Sequence, residues 1–291
     1  MIFDQGFWII QFLNGLQFAM LLFLLSVGLS VIFGLMNFVN LAHGSLYALG
    51  AFIGYSVAAW SGSFWLALVL APLAVALLGM VLYRGLIARL RRAGPLDQVL
   101  VTFGLIFVIL DLIRMIWGNY ALGVNIPPAL DGNVAVLGET YPVYRLFIIG
   151  LGVVVFALLY LFLEHSGFGA TVRAAVDDAE MAACMGVDVE RTFFIVFCLG
   201  CALAGLAGVT AAPVFSAYPG MGISILIPTL VVVVVGGLGS LKGAIAGSLL
   251  VGMTLTFGQV LVPQFASIVM YAFLVGVLLL RPEGLFPMRS H

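Results

Sequence analysis

Few residues in this chain could do chemistry. Cys198 and Cys201 form a C-x-x-C, a spacing used by redox centres and zinc sites. They fall inside the apolar run FFIVFCLGCALAGLAG, with no further Cys or His beside them to complete a ligand set. They read as two small residues on one helix face. His43, His165 and His291 are scattered, there is no H-E-x-x-H, and no carboxylate pair lies within an apolar run. The Gly-rich GGLGSLKG at 236–243 holds a lysine but lacks the G-x-x-x-x-G-K-[ST] order of a phosphate loop, because Lys242 follows Leu241. The chain is not expected to be an enzyme or to bind a cofactor itself.

What remains is a small set of polar groups in apolar surroundings. Asp111 and Arg114 stand at i, i+3 in VILDLIRMIWG. A secondary transporter could use Asp111 to carry a proton or cation. The pair is expected instead to be a local ion pair near the outer end of its span, shielded at the interface. Asn37, Asn40, His43 and Ser45 cluster in NFVNLAHGSLY, with Asn40 and His43 on one helix face. Such groups either line a translocation path or hydrogen-bond to neighbouring helices. Thr102 is a candidate of the same kind, as are Asn14 and Gln17. Gly236, Gly237 and Gly239 could expose backbone carbonyls to a path, act as a hinge, or serve packing.

The elements that hold these groups are dictated by composition. Hydrophobic residues make up 64% of 291 positions, DEKR only 8%, and mean hydropathy is +1.26. A chain so poor in charge cannot cover a water-facing surface. In lipid every backbone polar group must be satisfied internally, and the apolar runs are about 20 residues long, the length of a spanning helix. The fold class is therefore all-α and polytopic, with about 8–10 spans. Nine are read, at 7–36, 41–60, 64–83, 99–117, 144–163, 192–212, 223–237, 243–262 and 267–280. The first is long enough to be tilted or broken, and the seventh short enough to be re-entrant. The start MIFDQGFW has no positive region or cleavage pattern, so the first run is expected to stay as a membrane helix.

Arg84, Arg89, Arg91 and Arg92, then Arg173 and Arg191, then Arg281 and Arg289 fall on one side when the spans are threaded in order. That side is expected to be cytoplasmic, with the C-terminus there and segments 118–141 and 213–222 opposite. Net charge is −1, so no basic footprint for nucleic acid is present. Gly-rich stretches at 37–54 and 236–252 share a polar break followed by small residues, the pattern of an internal repeat with broken helices.

The long polar stretch 164–191 stands apart. It carries Glu164, Asp177, Asp178, Glu180, Asp188 and Glu190 with Arg173 and Arg191. Residues 170–185 are helix formers without Pro or Gly, and Gly186 is placed as a C-terminal stop. One helix is expected there. Ala174, Ala175, Ala179, Ala182 and Ala183 would give a slim face that presses into a partner's groove, with Asp177, Asp178 and Glu180 for polar contacts.

Glu180–Gly186, EMAACMG, resembles the EAA-x-x-x-G coupling motif of ABC importer permeases, although Met181 stands between Glu180 and Ala182. More widely, AVDDAEMAACMGVDVERTFFIVFCLGCALAGLAG, GLSVIFGLMNFVNLAHGSLYALGAF, VVVVVGGLGSLKGAIAGSLLVG and LLLRPEGLFP are similar, in order, to stretches of LivH-type permeases of branched-chain amino acid ABC transporters. The resemblance implies an ABC importer permease fold over 1–291 as one transmembrane domain, with 164–191 as a cytoplasmic coupling loop. It implies a bacterial inner membrane, a second related permease subunit, two ATPase subunits that hold ATP and Mg, and a periplasmic binding protein. Ala175, Asp177, Asp178, Glu180, Ala182, Ala183 and Gly186 would form the ATPase-coupling surface. The cargo would be a branched-chain amino acid; related permeases carry urea, amides or aromatic acids. A standalone secondary transporter is the rival reading.

Overall fold

The computed structural model describes residues 5–38, 40–90 and 93–286. Arg91, Arg92, Arg289 and His291 lie outside the described residues. The elements, in chain order, are α1 (Gln5–Met36), α2 (His43–Ser61), α3 (Phe64–Leu82), a π-helical turn (Tyr83–Ile87), α4 (Ala88–Leu90) and α5 (Pro95–Trp117). A hairpin of β1 (Asn133–Val136) and β2 (Glu139–Pro142) follows, then α6 (Val143–His165), α7 (Gly167–Asp177), α8 (Ala179–Cys184) and α9 (Val189–Phe215). Last come α10 (Met221–Gly236), α11 (Leu241–Leu261), a 3-10 turn (Pro263–Phe265) and α12 (Ala266–Leu280).

Each of the nine spans read from sequence appears as a helix. Seven are long and apolar enough to cross a membrane. The seventh-read span, α10, is short as expected, at 16 residues. α2 carries His43, Ser45, Ser56 and Ser61 and falls outside the seven. α1 is one unbroken helix of 32 residues, about 48 Å long by helical rise. That exceeds a hydrocarbon core of about 30 Å, so the helix must tilt or overhang.

The order of burial separates a centre from a rim. α1 and α9 are mostly enclosed, whereas α3, α5, α6 and α12 present most of their surface outward. Lipid supplies no hydrophobic force between helices, so close backbone contact must hold the centre together. Glycines make it possible. A Cβ on Gly28 of α1 would lie 2.9 Å from the carbonyl oxygen of Gly200 in α9. A Cβ on Gly50 of α2 would lie 2.5 Å from the Cα of Gly205 in α9.

The two ends of the bundle differ in chemistry. At the hairpin end, β1 and β2 pair antiparallel, Leu122 bridges to Ala217, and Tyr141 and Arg145 bond to Asn14. Segments 118–142 and 216–220 therefore share this end, as expected. All four tryptophans, Trp8, Trp60, Trp65 and Trp117, lie within four residues of the helix termini here, the placement of an interfacial aromatic belt. At the loop end gather α7, α8, the 237–240 turn and the residues after α12, where the amides of Leu285 and Phe286 reach the carbonyls of Val235 and Gly236 at 2.9 and 3.0 Å. Arg84, Arg89, Arg173, Arg191, Lys242 and Arg281 lie at this end; Arg114 and Arg145 lie toward the other.

The glycine crossings yield the first test. Gly50→Val should lower the thermal midpoint of the detergent-solubilised protein by several degrees, in line with an overpacking cost of about 1–3 kcal/mol. Gly150→Val, where a Cβ meets nothing within 4 Å, should leave it unchanged. Thermal-shift size-exclusion profiles measure both.

Candidate functional site

The polar stretch 164–191 folds as two helices, not one. α7 stops at Asp177, and Asp178 adopts an extended conformation with φ −154°. Its Oδ1 accepts the amides of Glu180 and Met181 at 3.0 and 2.9 Å. A side-chain oxygen that satisfies the orphan amides of a new helix stabilises a break as well as a start. The absence of Pro and Gly from 170–185 therefore did not guarantee continuity. Asp178 has a structural duty beyond any contact with a partner.

α8 ends as the sequence suggests. Gly186 takes φ +88°, which a side-chain-bearing residue rarely adopts. The amide of Val187 bonds to the carbonyl of Ala182, and that of Gly186 to Ala183, each at 3.0 Å. This is the paired-bond geometry of a Schellman stop.

The alanine stripe does not all face outward. Ala175 and Ala182 are 2% and 5% exposed and pack inward against the chain's own helices. The open surface is formed by Asp177, Asp178, Glu180, Met181, Ala183, Cys184, Met185 and Gly186. Met181 and Met185 are 60% and 79% exposed. The expected slim alanine face is thus replaced by an apolar tip with an acidic margin. Inward packing of Ala175 and Ala182 lets α7 and α8 lie close to the bundle.

The loop is tied to the central helices. Asp188 Oδ1 accepts the Arg191 amide at 2.9 Å and caps α9. Tyr83, in the π-helical turn after α3, donates to Glu190 Oε1 at 2.9 Å. Arg173 donates to the Leu163 carbonyl and pairs with Glu164 at 3.6 Å. A cavity of about 280 Å³ lies between α7 and the Gly239–Lys242 turn, lined by Val31, Glu164, Arg173 and Asp177 among others. Displacement of α7 and α8 would therefore act on α9 and on the start of α11 together. None of these long-range partners carries a sequence signal.

The polar groups read as path candidates are brought together only in part. Asn37, with φ +47°, closes the last turn of α1 through a bond from its amide to Phe33 and is exposed. Asn40 is 2% exposed and its Oδ1 accepts the Ala42 amide at 3.1 Å, in the turn just before α2. His43 is fully enclosed, with Nε2 3.1 Å from the Leu25 carbonyl. That partner requires the proton on Nε2, leaving Nδ1 an acceptor, and Nδ1 has no hydrogen-bond partner. Ser45 is buried beside it in α2. Thr102 is fully buried in α5 and donates to the Gln98 carbonyl at 2.8 Å. The carbonyl of Gly236 is occupied by Phe286, while Gly237 and Gly239 take φ +101° and +78° in the turn to α11. This turn touches α1, where Gly34 abuts Gly239. The breaks after α1 and α10 thus lie side by side.

α2 and α10 begin near one another, with Gly44 and Gly222 in contact. Leu25, opposite His43, is 11 residues beyond Asn14 in α1, so α2 starts about 16 Å below the hairpin end. A cavity of about 330 Å³ opens above this meeting point, lined mainly by apolar groups with Tyr47, Tyr218, Ser224 and Gln259.

Asp111 and Arg114 form the expected ion pair, at 3.1 Å. They are not shielded by this chain, since the side chains are 67% and 46% exposed respectively. At the hairpin end Arg145, not singled out from sequence, donates to Asn14 Oδ1 at 2.5 Å. Burial pushes the nearby Tyr141 phenol above its usual range, against the opposing effect of the Arg145 charge.

The permease BraD of Pseudomonas aeruginosa, named for high-affinity branched-chain amino acid transport, is 29% identical over 94% of both chains. LivH of Escherichia coli K12, named for the same transport system, is 24% identical over 94% of both. A probable branched-chain amino acid transport permease, LivH of Methanocaldococcus jannaschii, is 27% identical over 81% of this chain and 76% of its own. No solved structure gives a significant match. Residues 11–278 match the family described as branched-chain amino acid transport system / permease component, and with its many-helix membrane fold the chain belongs to that family.

Proposed function

We propose that this chain is the membrane permease subunit of an ATP-driven importer that moves branched-chain amino acids from periplasm to cytoplasm across a bacterial inner membrane. The observation that carries the reading is the α7–α8 pair. It is a polar, capped, outward-facing element, attached directly to the central helix α9, in a chain otherwise built for lipid. The family membership and the named cargo of BraD and LivH support the substrate class. The gathering of Arg84, Arg173, Arg191, Lys242 and Arg281 at the loop end supports a cytoplasmic position for that end and for the C-terminus.

In this reading two ATPase subunits bind ATP and Mg and receive α8. Asp177, Glu180, Met181, Ala183, Met185 and Gly186 form the contact, with Ala175 and Ala182 seating the helices on the permease. Asp178 holds the angle between them. A second related permease completes the translocation unit, and a periplasmic protein delivers cargo to the hairpin end. Asn37, Asn40, His43, Ser45, Gly236, Gly237 and Gly239 control the path from within by fixing the breaks around α2, α10 and α11, while Thr102 braces α5. A rigid-body push on α7 and α8 moves α9 and opens that unit.

Two experiments test this. Reconstituted with its co-purifying partners, the complex should accumulate leucine in proteoliposomes only with ATP; uptake by this chain alone would defeat the proposal. Asp178→Ala should lower coupled ATP hydrolysis several-fold, because loss of a helix cap costs about 0.5–2 kcal/mol. Asp178→Asn, which still caps, should retain most of it. Equal losses in the two variants would assign the effect to charge and not to the break.

A further inference from the structure

The outward face of α5 carries something that the other rim helices lack. The exposed residues within α3, α6 and α12 are apolar or small along their membrane-facing lengths, with no charge among the described residues short of the helix ends. α5 has Asp111 and Arg114 in the corresponding surface. They continue a stripe at four- and three-residue spacing through Leu100, Gly104 and Phe107, all exposed, which places these five positions on one helix face. Gly104 has open space where a Cβ would stand.

Depth makes the charges informative. Trp117, whose Nε1 donates to Ser56 at 2.7 Å, ends α5 in the aromatic belt. Asp111 is six residues earlier, hence about 9 Å below that belt by helical rise. Half of a hydrocarbon core is about 15 Å, so the carboxylate lies well inside it. Charged groups at such depth face a bundle interior or a water-filled cavity, not acyl chains. One bond at 3.1 Å joins the two side chains; Arg114, three residues before Trp117, lies about 4.5 Å below the belt by helical rise, and its guanidinium keeps donors for a further partner.

We propose that the stripe Leu100–Gly104–Phe107–Asp111–Arg114 lines the water-filled transit path, and that Asp111 and Arg114 receive the zwitterionic head of an α-amino acid. The carboxylate faces the solute's ammonium group and the guanidinium faces its carboxylate. The exposed pair is weakly held and exchanges partners readily. Phe107 and Gly104 below it give an apolar and uncrowded passage for an aliphatic side chain. This assignment rests on the importer reading for its solute, while the position of the water path does not.

The test uses the complete complex in membrane vesicles, with Cys184→Ser as background. Phe107→Cys should react with a membrane-impermeant thiol reagent at least tenfold faster than Leu73→Cys or Val154→Cys, which sit at similar depth on α3 and α6. Equal protection of the three positions would overturn the path, as would spontaneous crosslinking of Phe107→Cys to the second permease without access to reagent. Asp111→Asn and Arg114→Gln should each reduce leucine uptake at least tenfold with the partner subunits still co-purifying. The double exchange Asp111→Arg with Arg114→Asp should recover part of it. Unchanged uptake in the single variants would overturn zwitterion recognition. Fast labelling of Phe107→Cys in a complex that moves some other solute would leave the path standing and remove only the cargo.

Discussion

Backbone contact between helices in lipid is the constraint on which the rest of this structure depends. Water drives no helix association inside a bilayer, so the central helices must gain their cohesion from packing distance. Gly28 against Gly200 and Gly50 against Gly205 bring α1 and α2 onto α9 at a separation that no side chain would allow. Gly44 against Gly222 adds α10 to the same cluster. The glycines cost helix propensity, about 1 kcal/mol each relative to alanine in water. The membrane offsets this, because an opened helix there would leave amides and carbonyls unsatisfied.

A tightly crossed centre has a mechanical consequence. Helices locked backbone to backbone move as a unit, since interiors packed in this way are bistable and not continuously deformable. α9 belongs to that unit and begins only three residues after Gly186. Its first turn is fixed by Asp188 and by the Tyr83–Glu190 bond. Force applied to α8 therefore reaches the centre through a capped and hydrogen-bonded junction, not through a slack linker. The Schellman stop at Gly186 and the break at Asp178 define the only corners in that lever among the described residues of 167–191.

The spans were legible because lipid permits so few solutions. Continuous apolar runs had to be helices, and each boundary fell within a few residues of its expected place. The grouping of segments into two ends was legible too, since the stretches bearing Arg84, Arg173, Arg191 and Arg281 gather at one end and 118–142 and 216–220 at the other. Directions of faces were not. Ala175 and Ala182 read as partner-facing, yet small residues suit a permease body as well as an ATPase groove, and sequence spacing alone does not say which neighbour is present. Asp178 had the capping signature in its own type and position, but the strong helix formers around it masked the break. The bonds of Arg145 to Asn14 and of Tyr83 to Glu190 span more than a hundred residues, beyond any local pattern. The hairpin at 133–142 was missed because its turn, Leu137–Gly138 with both φ positive, carries leucine where Asn, Asp or Gly would signal a two-residue hairpin.

The division of polar groups between enclosed and open positions bears on affinity. Asn40, His43 and Thr102 are already committed to backbone partners, so drawing a solute to them would first break bonds that hold the entry to α2 or brace α5. Their removal would disturb shape before it disturbed recognition. A transporter subunit gains from that arrangement. Cargo held strongly midway would not leave, and an enclosed polar core provides stiffness without a deep binding well. Groups open to the path should therefore be few, exposed and weakly engaged, whereas groups buried beside it should be saturated by the chain itself. The contrast between Thr102, fully enclosed and bonded to the Gln98 carbonyl, and the open Asp111–Arg114 pair follows that division.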